Sequence, residues 1–119
     1  MSNNTLEKII DNRIKEIEYK KRGIQIEQLE EYIIEFEHMY NKKFYDFKKK
    51  IENNIKSNKI SIIAEIKKAS PSAGIIVKNF DLLSIAKLYV ENGASFLSIL
   101  TEEDFFLGKL EHIRNIKSQ

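Results

Sequence analysis

Glu65 and Lys67 stand two residues apart at the end of the apolar run Ile62-Ile63-Ala64-Glu65-Ile66, and Pro71 and Gly74 break the chain soon after. On a β-strand, residues i and i+2 face the same side. The two side chains are therefore expected to project together, an acid and a base at the carboxyl end of a strand. In α/β enzymes that end is where reacting groups collect. Taken without its flanks, the same pair also reads as an ordinary ion pair at a strand end, and such pairs are common.

The elements that must position this pair follow from periodicity. Residues 60–66 are nearly all apolar and β-branched, which predicts a strand buried on both faces. Residues 67–80 read as a long loop. Asp81 is a good N-cap for a helix over 82–92, with Leu82, Ile85, Ala86, Leu88 and Tyr89 on one side and Gly93 as its C′ residue. A second strand is predicted at 95–100, a loop at 101–108, and a helix over 109–117 through Leu110, Ile113 and Ile116. Strand, helix, strand, helix is the order of a parallel βαβα unit.

Upstream, three helical patterns are expected. Leu6, Ile9, Ile10, Ile14 and Ile17 mark a helix over 4–22, capped by Asn4 or Thr5 and ended by Gly23. Ile26, Leu29, Ile33, Phe36 and Tyr40 mark one over 25–40. Phe44, Phe47, Ile51 and Ile55 mark a short one over about 44–54, ending near Asn53-Asn54. Composition shifts near residue 58, from charge-rich helices to the apolar strand. This divides the chain into a helical extension, 1–57, and an α/β part, 58–119.

The bulk numbers exclude several classes. With 20 basic and 18 acidic side chains the net charge is +2, without the clustered basic excess of a nucleic-acid binder. There is no cysteine, so neither a disulfide framework nor a thiol nucleophile is available. His38 and His112 lie far apart and show no metal-ligand spacing, so no metal site is expected. The amino terminus leads into a charged amphipathic segment, not an apolar signal core, and no apolar run is long enough to cross a bilayer. A soluble, cytoplasmic protein without membrane or nucleic-acid partners is the expectation.

Glu65-Ile66-Lys67-Lys68-Ala69-Ser70-Pro71-Ser72 resembles the first strand of the indole-3-glycerol phosphate synthase family, enzymes of tryptophan biosynthesis. The similarity continues in Phe80-Asp81, Ile85-Ala86, Tyr89, Asn92-Gly93-Ala94, Leu97-Ser98-Ile99-Leu100-Thr101-Glu102-Glu103, Phe105-Phe106 and Gly108. At the amino end it includes Leu6-Glu7-Lys8-Ile9-Ile10 and Asp46-Phe47. The blocks at 62–74 and 93–108 carry most of its specificity. Ala73-Gly74 departs slightly from the commoner form of the loop.

The resemblance implies a (β/α)8 TIM barrel whose first two βα units lie in 58–119, with 1–57 as a helical extension covering the active-site end. It implies a carboxy-lyase that closes a ring in 1-(2-carboxyphenylamino)-1-deoxyribulose 5-phosphate, with loss of carbon dioxide and water, and needs no cofactor. It places Glu65 and Lys67 in the catalytic pocket. Lys67 would meet the anionic substrate and Glu65 would hold the polar network. Ser70 would face the phosphate side, while Leu100 and Phe106 would wall the substrate's aromatic ring. The family's principal acid, a Lys on the third strand, and its principal base, a Glu on a later strand, have no counterpart within these 119 residues.

A full barrel takes about 250 residues. The chain alone is therefore expected to be inactive and to fold poorly, because two parallel strands leave long unpaired edges. A carboxy-terminal barrel half would solve both problems. The contrasting expectation is a non-catalytic truncated remnant, or a helical interaction module through 4–55. Other features read as structural. Lys42-Lys43 and Lys48-Lys49-Lys50 alternate with Phe44, Tyr45 and Phe47, and helical spacing puts the aromatics in a core stripe and the lysines in solvent. Phe106 would be an odd placement exposed at a loop and an ordinary one packed against a barrel helix, while His38 and His112 read as surface or partly buried structural residues.

Overall fold

The computed structural model describes residues 4–40 and 45–119. Phe44 and the Lys42-Lys43 pair, both used in the sequence reading, lie outside the described residues. The chain divides into two compact units, 1–45 and 46–119. Among the described residues the architecture is mixed α/β, with five helices and four short strands.

The first unit holds α1 (Thr5–Gly23) and α2 (Ile26–Tyr40). The Asn4 side chain accepts the Leu6 N–H at 3.1 Å, so Asn4 rather than Thr5 is the cap. Glu16 accepts hydrogen bonds from Arg13 and Lys20, one turn away on either side. These contacts hold its carboxyl below the ordinary carboxylate range, the Lys20 bond contributing most. Between the helices, the Gln25 N–H donates to Gln28 Oε1. The apolar stripe of α1 stays open: Leu6, Ile10 and Ile14 are about half exposed.

The second unit opens with α3 (Phe47–Lys56), capped by Asp46, whose Oδ1 accepts the Lys49 N–H at 2.8 Å. The helix runs past Asn53-Asn54, where the sequence suggested an end. The left-handed residue that closes it is Asn58, with φ of 53°. The Asn58 N–H donates to Ile55 O, and the Lys59 N–H to Asn54 O, which is the double bond of a Schellman turn.

β1 (Ile63–Ile66) and β4 (Phe96–Ile99) pair in parallel, with Ile63 opposite Phe96 and Glu65 opposite Ser98. Both strands are shorter than expected. The ladder begins at the Ile62 carbonyl, which accepts the N–H groups of Ser95 and Phe96, and Ile60 is 86% exposed.

The crossover between them contains α4 (Leu82–Glu91). Asp81 caps α4 as expected, accepting the Ser84 N–H at 3.1 Å and the Ser84 hydroxyl at 2.7 Å. Gly93, at φ of +94°, closes it with bonds from Gly93 N–H to Val90 O and from Ala94 N–H to Tyr89 O. α4 covers one face of the sheet. Ile66, Leu82 and Ala86 are buried there, packed by Phe80, Ile85, Tyr89, Leu97 and Ile116. Ile116 comes from α5 (Glu111–Lys117), the last helix.

The segment predicted as one loop over 67–80 contains a small antiparallel hairpin, β2 (Ala69–Ser70) with β3 (Gly74–Ile75). Gly74 turns it at φ of +64°, and the Lys68 carbonyl accepts the N–H groups of Ile76 and Val77.

α3 joins the amino ends of the strands. Phe47 packs on Phe96 with ring centroids 4.2 Å apart. The Asn54 amide donates to the hydroxyls of Ser61 at 2.9 Å and Ser95 at 3.3 Å. This part of the amino-terminal extension therefore sits at the end of the sheet opposite Glu65 and Lys67. The expectation that 1–57 covers the active-site end does not hold for α3. The reason is that Phe96 and the two serines at the strand starts are what its apolar and amide groups meet.

Candidate active site at the carboxyl end of the sheet

The pleat of β1 separates its residues as expected. Ile66 points into the core at 2% exposure, while Glu65 lies on the opposite face and Lys67 follows two residues later. Lys67 Nζ and Glu65 Oε1 approach to 2.8 Å. Both side chains remain partly accessible, at 34% for Lys67 and 46% for Glu65. A carboxylate and an ammonium at this separation form a charge-assisted hydrogen bond. Together they offer a cation for an anionic ligand and a carboxylate to hold that cation in place.

Ser70 lies in β2, three residues beyond Lys67, and is partly buried. Its Oγ accepts the Ala73 N–H at 3.2 Å and lies 3.5 Å from Ser72 Oγ. The hydroxyl therefore sits inside the turn it helps to form. Leu100 follows β4 directly, with its N–H donating to the Ile66 carbonyl at 3.3 Å. This bond extends the parallel ladder by one step and ties the ends of the two strands together. Leu100 and Phe106 are both partly buried.

The loop over 101–108 is more tightly built than its sequence suggested. The Glu102 carboxylate accepts three backbone N–H groups, from Asp104 at 3.2 Å, Phe105 at 2.7 Å and Phe106 at 3.2 Å. Its carbonyl accepts the Gly108 N–H at 2.8 Å. Leu107 sits at φ of 54°, a strained conformation for a non-glycine residue. Gly108 is buried, and its Cα lies so near Leu100 that an added Cβ would fall 2.1 Å from the Leu100 carbonyl oxygen. Sequence reading assigned no role to Glu102 or Gly108. No side-chain pattern marks the Glu102 contacts, because their donors are backbone N–H groups that any residue carries.

Other candidates lie elsewhere. A groove lined by Leu83, Ala86, Val90, Leu97 and Ile116 is on the helix-covered face, away from the ion pair. His38 is exposed on α2. His112 packs against Phe80 with ring centroids 5.9 Å apart, and its Nδ1 is buried without a hydrogen-bond partner. Among the described residues no group of three His, Cys, Asp or Glu side chains could hold a metal ion. Among the same residues no helix is long and apolar enough to cross a membrane.

A parallel βαβα unit with its polar pair at the carboxyl end of the sheet defines an α/β protein of the kind that places ligands at that end. The family is more specific: the indole-3-glycerol phosphate synthase model matches residues 6–119, and the chain belongs to that family. It is 51% identical over 74 residues to an indole-3-glycerol phosphate synthase of Desulforamulus reducens, covering 62% of this chain and 27% of that protein. The synthase of Dehalococcoides mccartyi is 36% identical over 112 residues, 94% of this chain and 40% of the relative. That of Thermoanaerobacter pseudethanolicus is 43% identical over 112 residues, 94% of this chain and 39% of the relative. The chain thus spans about two fifths or less of the length of these curated relatives.

Proposed function

We propose that this chain supplies the opening part of an indole-3-glycerol phosphate synthase. In this reading residues 58–119 are the first two βα units of a (β/α)8 barrel and 1–57 its helical extension. The protein acts in the cytoplasm on a phosphorylated small molecule, 1-(2-carboxyphenylamino)-1-deoxyribulose 5-phosphate. The ring closes onto the aromatic carbon bearing the carboxylate; carbon dioxide and then water leave. No cofactor takes part.

The observation that carries the reading is the Lys67–Glu65 pair at 2.8 Å on the solvent-open face of β1. Lys67 attracts the anionic substrate and assists proton transfer. Glu65 orients Lys67 by the hydrogen bond between them. A strand holds such groups more rigidly than a loop does. The Ser70 hydroxyl, already oriented by the Ala73 N–H, donates toward the phosphate side. Leu100 and Phe106, at the end of the neighbouring strand and in its loop, wall the aromatic ring. The principal acid and base of the reaction come from later strands, supplied by a carboxy-terminal barrel half. Without that half the chain is inactive.

Turnover tests this. The 119-residue chain is assayed for indole-3-glycerol phosphate formation alone and after coexpression with the carboxy-terminal half of a family relative. Activity only in the pair is the expected result. No activity with a half that is competent alongside its own amino-terminal part would overturn the catalytic reading. It would favour a helical interaction module, to which the half-exposed stripe Leu6, Ile10 and Ile14 is suited.

A further inference from the structure

The 101–108 loop binds itself through one side chain. Both carboxylate oxygens of Glu102 are engaged: Oε1 accepts the Asp104 N–H, and Oε2 accepts those of Phe105 and Phe106. A carboxylate accepting several backbone N–H groups makes charge-assisted bonds, about twice as strong as neutral ones. The loop then returns through Leu107, in the left-handed region, to Gly108, whose N–H meets the Glu102 carbonyl. Gly108 rests directly on the Leu100 backbone. Residue 102 thus fixes both ends of the turn that carries Phe106, while the Gly108 contact fixes that turn against Leu100.

We propose that Glu102 is a positioning residue. Through the amides of residues 104–106 it holds the Phe106 ring in place beside Leu100 as an apolar wall at the mouth of the site. Glu102 touches no reacting atom in this scheme. The inference deepens the proposed function, because the wall matters only if an aromatic substrate binds there.

Two measurements test it and fail separately from the proposed activity. The first is amide hydrogen exchange on the 119-residue chain. Glu102→Ala should speed exchange at Asp104, Phe105 and Phe106 by roughly tenfold or more, leaving the β1 and β4 amides unchanged. Glu102→Gln keeps one acceptor oxygen. It should expose the Asp104 amide while Phe105 and Phe106 stay protected. Unchanged exchange at the three amides, or acceleration of all amides together, would overturn the clamp.

The second is steady-state kinetics of the chain paired with a carboxy-terminal half. Glu102→Ala should raise KM severalfold with kcat nearly kept, which marks lost binding that is common to substrate and transition state. Phe106→Ala should do the same, and the double variant should add little. A Glu102→Ala pair with unchanged KM overturns the positioning role. Absence of turnover from the wild-type pair overturns the activity instead, and the exchange experiment then decides the clamp.

Discussion

Lys67 Nζ lies 2.8 Å from Glu65 Oε1 although both side chains remain partly in water. Such pairs contribute at most about 1 kcal/mol to stability, so turnover and unfolding measured on the same variants separate a functional pair from a structural one. In the paired enzyme, Lys67→Ala should lower kcat by roughly a hundredfold or more, in the range for losing a positioned proton-transfer group. Glu65→Gln should cost less, because it keeps an oxygen to accept from Lys67. Urea unfolding of the same variants should move by about 1 kcal/mol or less. A large stability loss with normal turnover would make the pair purely structural.

Gly108 makes a steric prediction. An added Cβ would meet Leu100 O at 2.1 Å, Leu100 C at 2.7 Å and Thr101 Cα at 2.9 Å. All three are backbone atoms and cannot rotate away. Gly108→Ala should therefore destabilise the second unit by about 1–3 kcal/mol, the range for overpacking, read as a shift of the urea midpoint at unchanged slope. An unshifted midpoint would mean that the loop relaxes freely and that the Leu100 contact does not fix it.

Much of this was legible in the sequence because local rules decided it. The cap at Asp81, the closure at Gly93 and the common face of Glu65 and Lys67 each depend on residues no more than a few positions apart. The end of α3 was not legible. Asn53-Asn54 and Asn58 compete to close it, and the amide of Asn54 is instead drawn to Ser61 and Ser95, the latter 41 residues away in the chain. The hairpin after β1 was hidden because strands of two residues carry no periodicity. The role of Glu102 depends on the backbone direction of residues 104–106, which side-chain type does not encode.

Asp81 gives a pH prediction. Hydrogen bonds from the Ser84 side chain and then from the Ser84 N–H hold its carboxyl below the ordinary 3.8. A group whose folded pKa is depressed stabilises the fold above its unfolded pKa and loses that contribution as pH falls through the folded pKa. Asp81→Asn keeps an N-cap oxygen but not the charge. The variant should be less stable than the wild type at neutral pH, and the two should converge as the solution is acidified below 3.8. Thermal unfolding across pH measures this. A difference that persists undiminished into acid would assign the effect to shape and not to charge.

The two faces of β1 should answer differently to the same substitution. Ile66 is 2% exposed, in a core whose other buried apolar residues are only Ala69, Leu82 and Ala86 among the described residues. Ile66→Ala should cost about 2–5 kcal/mol, enough to unfold a unit this small, and Ile66→Val about 1 kcal/mol keeps the effect measurable. Ile63 is 57% exposed on the other face, so Ile63→Ala should cost little in the 119-residue chain. If a carboxy-terminal half closes a barrel over that face, Ile63 becomes a core residue. The same substitution should then cost about 2–5 kcal/mol in the pair. Comparing the two costs by urea unfolding measures the closure itself, independently of turnover. Equal small costs in both settings would mean that this face of β1 stays open and that the barrel does not form around it.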